Sequence, residues 1–116
     1  MATFTTSCAE PWFSYIRSGV KTVEGRKNSE TWKSIKKGDT IIFNDGKEEK
    51  FTAEVTGVNK YTGKDALKDY LEKEGLEQTL PGVKTIEEGM KVYVGCLGGM
   101  EKIIDVGILG IHVKPT

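Results

Sequence analysis

At 21-KTVEGR-26 the chain changes its period. Ahead of it, Trp12, Phe13, Ile16 and Val20 recur at three- and four-residue steps, which predicts a helix with that stripe against a core and Ser14, Arg17 and Ser18 toward water. Pro11 suits a first-turn position, where its missing N–H costs nothing, and Gly19 is a helix stop. From Lys21 the alternation is two, so the stretch reads as an extended strand with Thr22, Glu24 and Arg26 on one face and Val23 on the other. A helix followed by a strand that carries Lys21, Glu24 and Arg26 gives the start of a fold and a candidate site together.

On the N-terminal side, residues 2–8 (ATFTTSC) are rich in Thr and predict a short strand. On the C-terminal side, 27-KNSETWKSIKKGD-39 is polar, with Trp32 and Ile35 as its only anchors, and reads as a loop containing a short helical turn. Gly38-Asp39 ends that loop ahead of 40-TIIFND-45, a β-prone run, and Asp45-Gly46 marks a tight turn. In 50-KFTAEVTGVNKY-61, Phe51, Ala53 and Val55 alternate inward against Thr52, Glu54 and Thr56. The segment 63–80 is amphipathic, with Ala66, Leu67, Tyr70 and Leu71 at helical spacing and Gly75 as a stop. Thr85 followed three positions on by Glu88 is a capping-box pattern that opens a helix over 84–93. Residues 95–99 read as a loose Gly-rich stretch, and 103-IIDVGILGIHV-113 as one strand apolar enough to be buried on both faces. This order of elements favours an α+β fold over a doubly wound parallel sheet. The expectation is one domain over residues 1–116, a small open β-barrel carrying two to three flanking helices.

Lys and Arg together number 17, as do Asp and Glu, so the formal net charge is zero. That excludes coating nucleic acid by bulk electrostatics, which draws on a large excess of cations, but leaves room for a local basic pocket. No run of about 18 apolar residues exists, so no membrane partner is expected. The start lacks the basic and apolar regions of a secretory signal. Cys8 and Cys96 are isolated and His112 is the only histidine, so neither a metal site, a cofactor nor a disulfide is expected. A reduced, cytoplasmic, monomeric protein is the corresponding expectation.

The apolar first helix ending in 19-GVK-21, then 21-KTVEGR-26 and 37-KGDTIIF-43, resembles the opening of ASCH domains, a branch of the PUA-like superfamily whose signature runs Gly-x-Lys-x-x-Glu-x-Arg ahead of a Gly-Asp and a strand. Similar features follow in 51-FTAEVTGVNKY-61, 75-GLEQTLPGVKTIEEGMKVY-93 and 107-GILGIHV-113, so the resemblance covers nearly the whole chain, with 97-LGGMEK-102 departing from the pattern. It implies an open β-barrel with a cleft beside the first helix, and RNA or a small nucleoside-like molecule as ligand. One ASCH-like branch consists of small amidohydrolases that deacylate N4-acetylcytidine. Similarity to it implies Lys21 and Glu74 as catalytic residues, but the position of its Thr is occupied by Glu24. A carboxylate does not replace a hydroxyl nucleophile cheaply, so an enzyme of this kind would need Glu24 to act on a water.

Glu24 and Arg26, two apart on a strand, point the same way. Exposed, they would be a surface ion pair contributing ~0–1 kcal/mol. In a cleft, Arg26 offers a forked donor to a phosphate or carbonyl, and Glu24 accepts from an exocyclic amine such as that of cytosine. Lys21 either covers the helix end with its stem or brings a compact positive charge to an oxyanion. Glu74 lies in a charged run that is most simply solvated. Trp32, in a polar loop, is a candidate stacking platform, whereas Trp12 and Tyr61 read as core or lid and His112 as a satisfied core residue. Ser29, with Asn28 and Thr31, either binds phosphate or is loop polarity. Three functions follow: a nucleoside- or RNA-binding domain using Lys21, Glu24, Arg26, Trp32 and Ser29; an amidohydrolase using Lys21, Glu24 and Glu74; or a protein-interaction module.

Overall fold

The computed structural model describes residues 1–116. The elements run β1 (Thr3–Ser7), α1 (Trp12–Ser18), β2 (Val23–Lys27), β3 (Thr40–Asn44), β4 (Lys50–Tyr61), α2 (Ala66–Glu74), α3 (Leu76–Thr79), α4 (Ile86–Leu97), α5 (Met100–Val106) and β5 (Ile108–Pro115). The strands form a single sheet in the order β1-β3-β4-β5-β2, with β1 parallel to β3 and every other pair antiparallel. β4 is the axis: its first half pairs with β3, and it pairs with β5 along most of its length, with a bulge between Val55 and Gly57. A bulge raises local twist, and the sheet curls into a half-barrel. The curl leaves β1 and β2 as two free edges, and the Arg26 guanidinium bridges them by donating to the Ser7 carbonyl at 3.2 Å.

Both faces of the sheet are covered, and β5 shows why its sequence is apolar without alternation. Leu109, Ile111 and Val113 join Phe13, Ile16, Ile41, Phe43 and Val55 inside the half-barrel. Ile108, from the other side of the same strand, joins Tyr70, Leu71, Tyr93 and Ile103 under the helices. A strand with a core on each face is apolar on both sides along most of its length, the burial expected of 103–113. The loop between β2 and β3 is anchored by Trp32 and Ile35, both buried. Its closing Asp39 is fully buried and accepts from the amides of Ala2 and Lys36, tying the N-terminus to the start of β3.

The α+β half-barrel agrees with the sequence reading, and its differences are local. Gly19 adopts a left-handed φ of 85° and ends α1 after Ser18, so Val20 falls outside the helical stripe and is 54% exposed. The Gly-rich 95–99 stretch is not loose. α4 runs through Gly95 to Leu97, because Tyr93 and Leu97 bury on either side of it, and stops at Gly98. The strand expected over 103–113 begins only at Ile108; Ile103 is helical and fully buried in the second core. A continuous apolar run does not distinguish buried helix from buried strand by period. Here Gly107, at φ 86°, separates the two. The helical part therefore comprises five segments, several of them short, rather than two or three.

Candidate functional site

Lys21 follows the left-handed Gly19 in a turn that the backbone pins at both ends. Its amide bonds the Tyr15 carbonyl at 3.0 Å, and the next amide, of Thr22, bonds the Gln78 carbonyl at 3.1 Å. The side chain is thereby turned inward and is only 2% exposed. Its ammonium donates to the Val23 carbonyl at 2.7 Å, to the Thr79 carbonyl and to the Tyr93 hydroxyl at 3.4 Å, and it lies 3.6 Å from Glu24 Oε1. An ammonium has three protons, and all three are directed to acceptors.

Glu24 and Arg26 share the face of Ile111 and Leu109, their cross-strand partners, and so point to the inside of the half-barrel. Glu24 Oε2 accepts from Arg26 Nε at 3.1 Å and from Nη2 at 2.8 Å. The structure therefore brings the ammonium, carboxylate and guanidinium to one place. Burial alone would raise the Glu24 carboxyl, but the charges of Arg26 and Lys21 overcome it and hold the group below its ordinary value. Burial lowers the Lys21 ammonium, partly offset by Glu24. For Arg26 burial acts downward too, yet Glu24 leaves it raised. Glu24 is thus the acid shared by two basic groups, Arg26 at 2.8 Å and Lys21 at 3.6 Å.

These groups form the polar wall of a cleft of about 280 Å³ between the two sheet edges. Ser7, Cys8 and Ala9 supply the rim from the end of β1, and Trp12 enters from α1. The apolar wall is α4, through Val92, Tyr93, Cys96 and Leu97, with Leu80 beside it. Burial pushes the Cys8 thiol up to about 12, so it is not a nucleophile near neutral pH. The tyrosines behind the cleft are raised as well, by burial first, and their hydroxyls pair at 2.8 Å. They sit directly on the backbone of β2: a Cβ at Gly25 would lie 2.6 Å from the Tyr70 hydroxyl and 2.8 Å from the Tyr93 ring.

Other anticipated residues lie elsewhere. Trp32 does not line the cleft; it is buried, stacked on Phe4 at 5.4 Å, and the Arg26 guanidinium lies over its ring at 5.2 Å. The tryptophan at the cleft is Trp12, which reads from the sequence as core or lid, and it lines the cleft together with Tyr93. Ser29 is also outside it, its carbonyl accepting from the amides of Trp32 and Lys33 to hold the loop's turn. Glu74 belongs to a separate cluster, accepting from Asn59 at 2.9 Å and Tyr61 at 2.7 Å, with His112 Nε2 at 2.8 Å. Burial would raise its carboxyl, but these partners leave it below the ordinary value. His112 is therefore partly exposed and in hydrogen-bonding contact with Glu74 rather than enclosed in a core. Gly25 and Tyr93 went unnoticed in the sequence, although an isolated Gly inside a period-two strand is itself a signal of close approach by another group.

The ASCH domain family model matches residues 7–104. Among solved structures, the hypothetical protein PH0355 is similar over all of both chains, with 38% identity and a TM-score of 0.86. Protein PF0455 from Pyrococcus furiosus is similar over 97% of this chain and 96% of its own, with 35% identity and a TM-score of 0.77. No curated protein matches the chain. No helix is long and apolar enough to cross a membrane. These likenesses support, at a general level, a domain that binds nucleic acid or nucleosides. The chain belongs to the ASCH domain family.

Proposed function

We propose that the cleft binds a single nucleobase, free in a nucleoside or turned out of an RNA strand, with a preference for a base bearing an exocyclic amine. The observation that carries this reading is Glu24, held ionised on the cleft wall with its Oε2 occupied by Arg26 and its Oε1 facing only the distant Lys21 ammonium. Oε1 has accepting capacity left, and a carboxylate selects an amine such as cytosine N4 over a carbonyl at the same place. Arg26 supplies N–H groups at the rim for a carbonyl or phosphate oxygen, and Trp12 a face for stacking. Lys21 acts through Glu24 as a positioning residue, since its own protons are engaged. A volume of about 280 Å³ is at the small end for ligand pockets, near about 300 Å³, and suits one base rather than a helix.

Calorimetric titration of cytidine and uridine tests this. Cytidine should bind at least about tenfold more tightly, as expected for one hydrogen bond to a charged acceptor. Glu24→Gln should erase the difference, and Trp12→Ala should weaken both ligands. Equal affinities for the two nucleosides in a folded protein would refute the base-reading role of Glu24. N4-acetylcytidine is the control for hydrolysis: turnover lost in Lys21→Met would replace binding with amidohydrolysis. If no nucleoside or RNA binds, the interaction-module reading takes its place.

A further inference from the structure

A second hollow, shallow and of about 770 Å³, lies where the 28–37 loop passes beside β4 and β5. Lys33, Lys36 and Lys37 line it from the loop and Lys60 from β4, with no carboxylate among its lining residues. Two of these lysines are paired: Lys33 with the exposed Glu30 at 2.8 Å and Lys36 with the buried Asp39 at 3.5 Å. Lys37 and Lys60 have no carboxylate within ion-pair distance. On a chain whose charges sum to zero, four cations gathered in one hollow are a segregated patch that attracts an anion. Ile35, Val58 and Leu109 give it an apolar floor, and Asn28 and Ser34 add neutral hydrogen-bonding groups.

Its position relative to the cleft gives the patch a reading. Arg26 lines the cleft and Asn28 lines the hollow, two residues further along the same chain, or about 7 Å when extended. Between these two positions in the chain, the Arg26 guanidinium lies over the Trp32 ring at 5.2 Å, and Trp32 belongs to the same 28–37 loop. We propose that the lysine-lined hollow binds the phosphodiester backbone of a single-stranded nucleic acid whose base occupies the cleft, making one bipartite site. This rests on the nucleobase reading of the cleft. A strand that turns a base into a narrow cleft must carry its neighbouring phosphates over the rim, and single strands are free to splay in this way where duplexes are not. Charge supplied locally on a neutral body gives affinity for a strand already held by its base, without general attraction to duplex.

The test compares cytidine monophosphate with a single-stranded RNA of about eight nucleotides containing one cytidine, a length within the span small domains cover. Both are titrated between about 50 and 200 mM salt, with the wild-type protein and with Lys37→Ala/Lys60→Ala, two exposed lysines outside the cleft. RNA should bind more tightly than the mononucleotide, and its affinity should fall with salt. The double variant should lower the logarithmic salt slope by about 1.4 and weaken RNA at low salt by about tenfold, with the mononucleotide unchanged. If RNA affinity is unchanged in the variant, or no tighter than that of the mononucleotide, the hollow is not a backbone site, while the cleft reading stands on its own titration. If RNA depends on the lysines but the mononucleotide does not bind, the cleft reading fails and the bipartite site falls with it. If inorganic tripolyphosphate displaces the RNA from the hollow at equal concentration, the hollow is a free-polyphosphate site and the proposal is overturned.

Discussion

Glu24 neutralises two cations from within the fold, and that makes it a stability residue as well as a ligand-facing one. Its carboxyl lies below the ordinary value in the folded state, so its contribution is present above the unfolded value, about 4.3, and is lost as pH falls through the lower folded value. Lys21 shifts stability with pH in the same direction but as a cost: its lowered ammonium binds its proton less tightly when folded, and that cost is relieved only as pH rises. Breaking a buried pair from one side leaves charge uncompensated, and Glu24→Gln should cost about 3–5 kcal/mol near neutral pH. Urea unfolding across pH checks this. The difference from wild type should begin to shrink as pH falls below the unfolded value, about 4.3, and close as pH passes through the lower folded value; a gap that stays constant into acid would assign the loss to packing instead. The sequence made Glu24 and Arg26 legible as a pair because strand alternation alone puts them on one face. The inward turn of Lys21 was not legible, since it depends on Tyr15 and Gln78, and the latter is distant in the chain. Trp12 and Trp32 exchanged their expected places for a similar reason: a polar loop conceals that Phe4 and Arg26 fold over Trp32.

Between elements, two facing glycines set how closely the helices approach the sheet. Gly25 pairs with Gly110 across β2 and β5, and a Cβ at Gly110 would meet the Glu74 carboxylate at 2.7 Å. Helices α2 and α4 thus rest Tyr70 and Tyr93 on bare backbone, and α4 is held at cleft distance. Gly95 is the contrast: it is helical and exposed, and a Cβ there meets nothing within 4 Å. Two Gly→Ala changes should therefore have opposite signs. Gly25→Ala should destabilise by about 1–3 kcal/mol through overpacking, and Gly95→Ala should stabilise by about 0.4–1 kcal/mol by reducing the freedom of the unfolded chain. Thermal unfolding midpoints moving in the same direction would contradict this account. The same Gly95 explains why the sequence pattern ends this helix at residue 93: local propensity marks a glycine as a break, and only the burial of Tyr93 and Leu97 carries the helix across it.

At the scale of the molecule, the sheet separates two cores, and Trp12 packs against both of them at the cleft. The strand order was beyond the reach of sequence pattern, because nothing local tells β1 to run parallel to β3 or β2 to pair with β5. The arrangement puts one cysteine on each side of the same cleft in different states. Cys8 is buried with its thiol raised to about 12, whereas Cys96 is exposed. One equivalent of iodoacetamide should label Cys96 alone in the folded protein, and a bound nucleoside should slow that labelling. Modification of Cys8 at a comparable rate, read by peptide mass, would show that the cleft is more open than described.

The seam between β1 and β2 has a mechanical consequence. Everywhere else neighbouring strands are laced by repeated main-chain bonds, and separating them by even an ångström breaks several at once. Across the mouth, a guanidinium reaching the Ser7 carbonyl takes the place of that lacing. The seam is therefore closed by one side chain rather than by a ladder, and a guest that displaces the Ser7 contact gives up a single hydrogen bond while the Glu24–Arg26 pair and the frame around it stay in place.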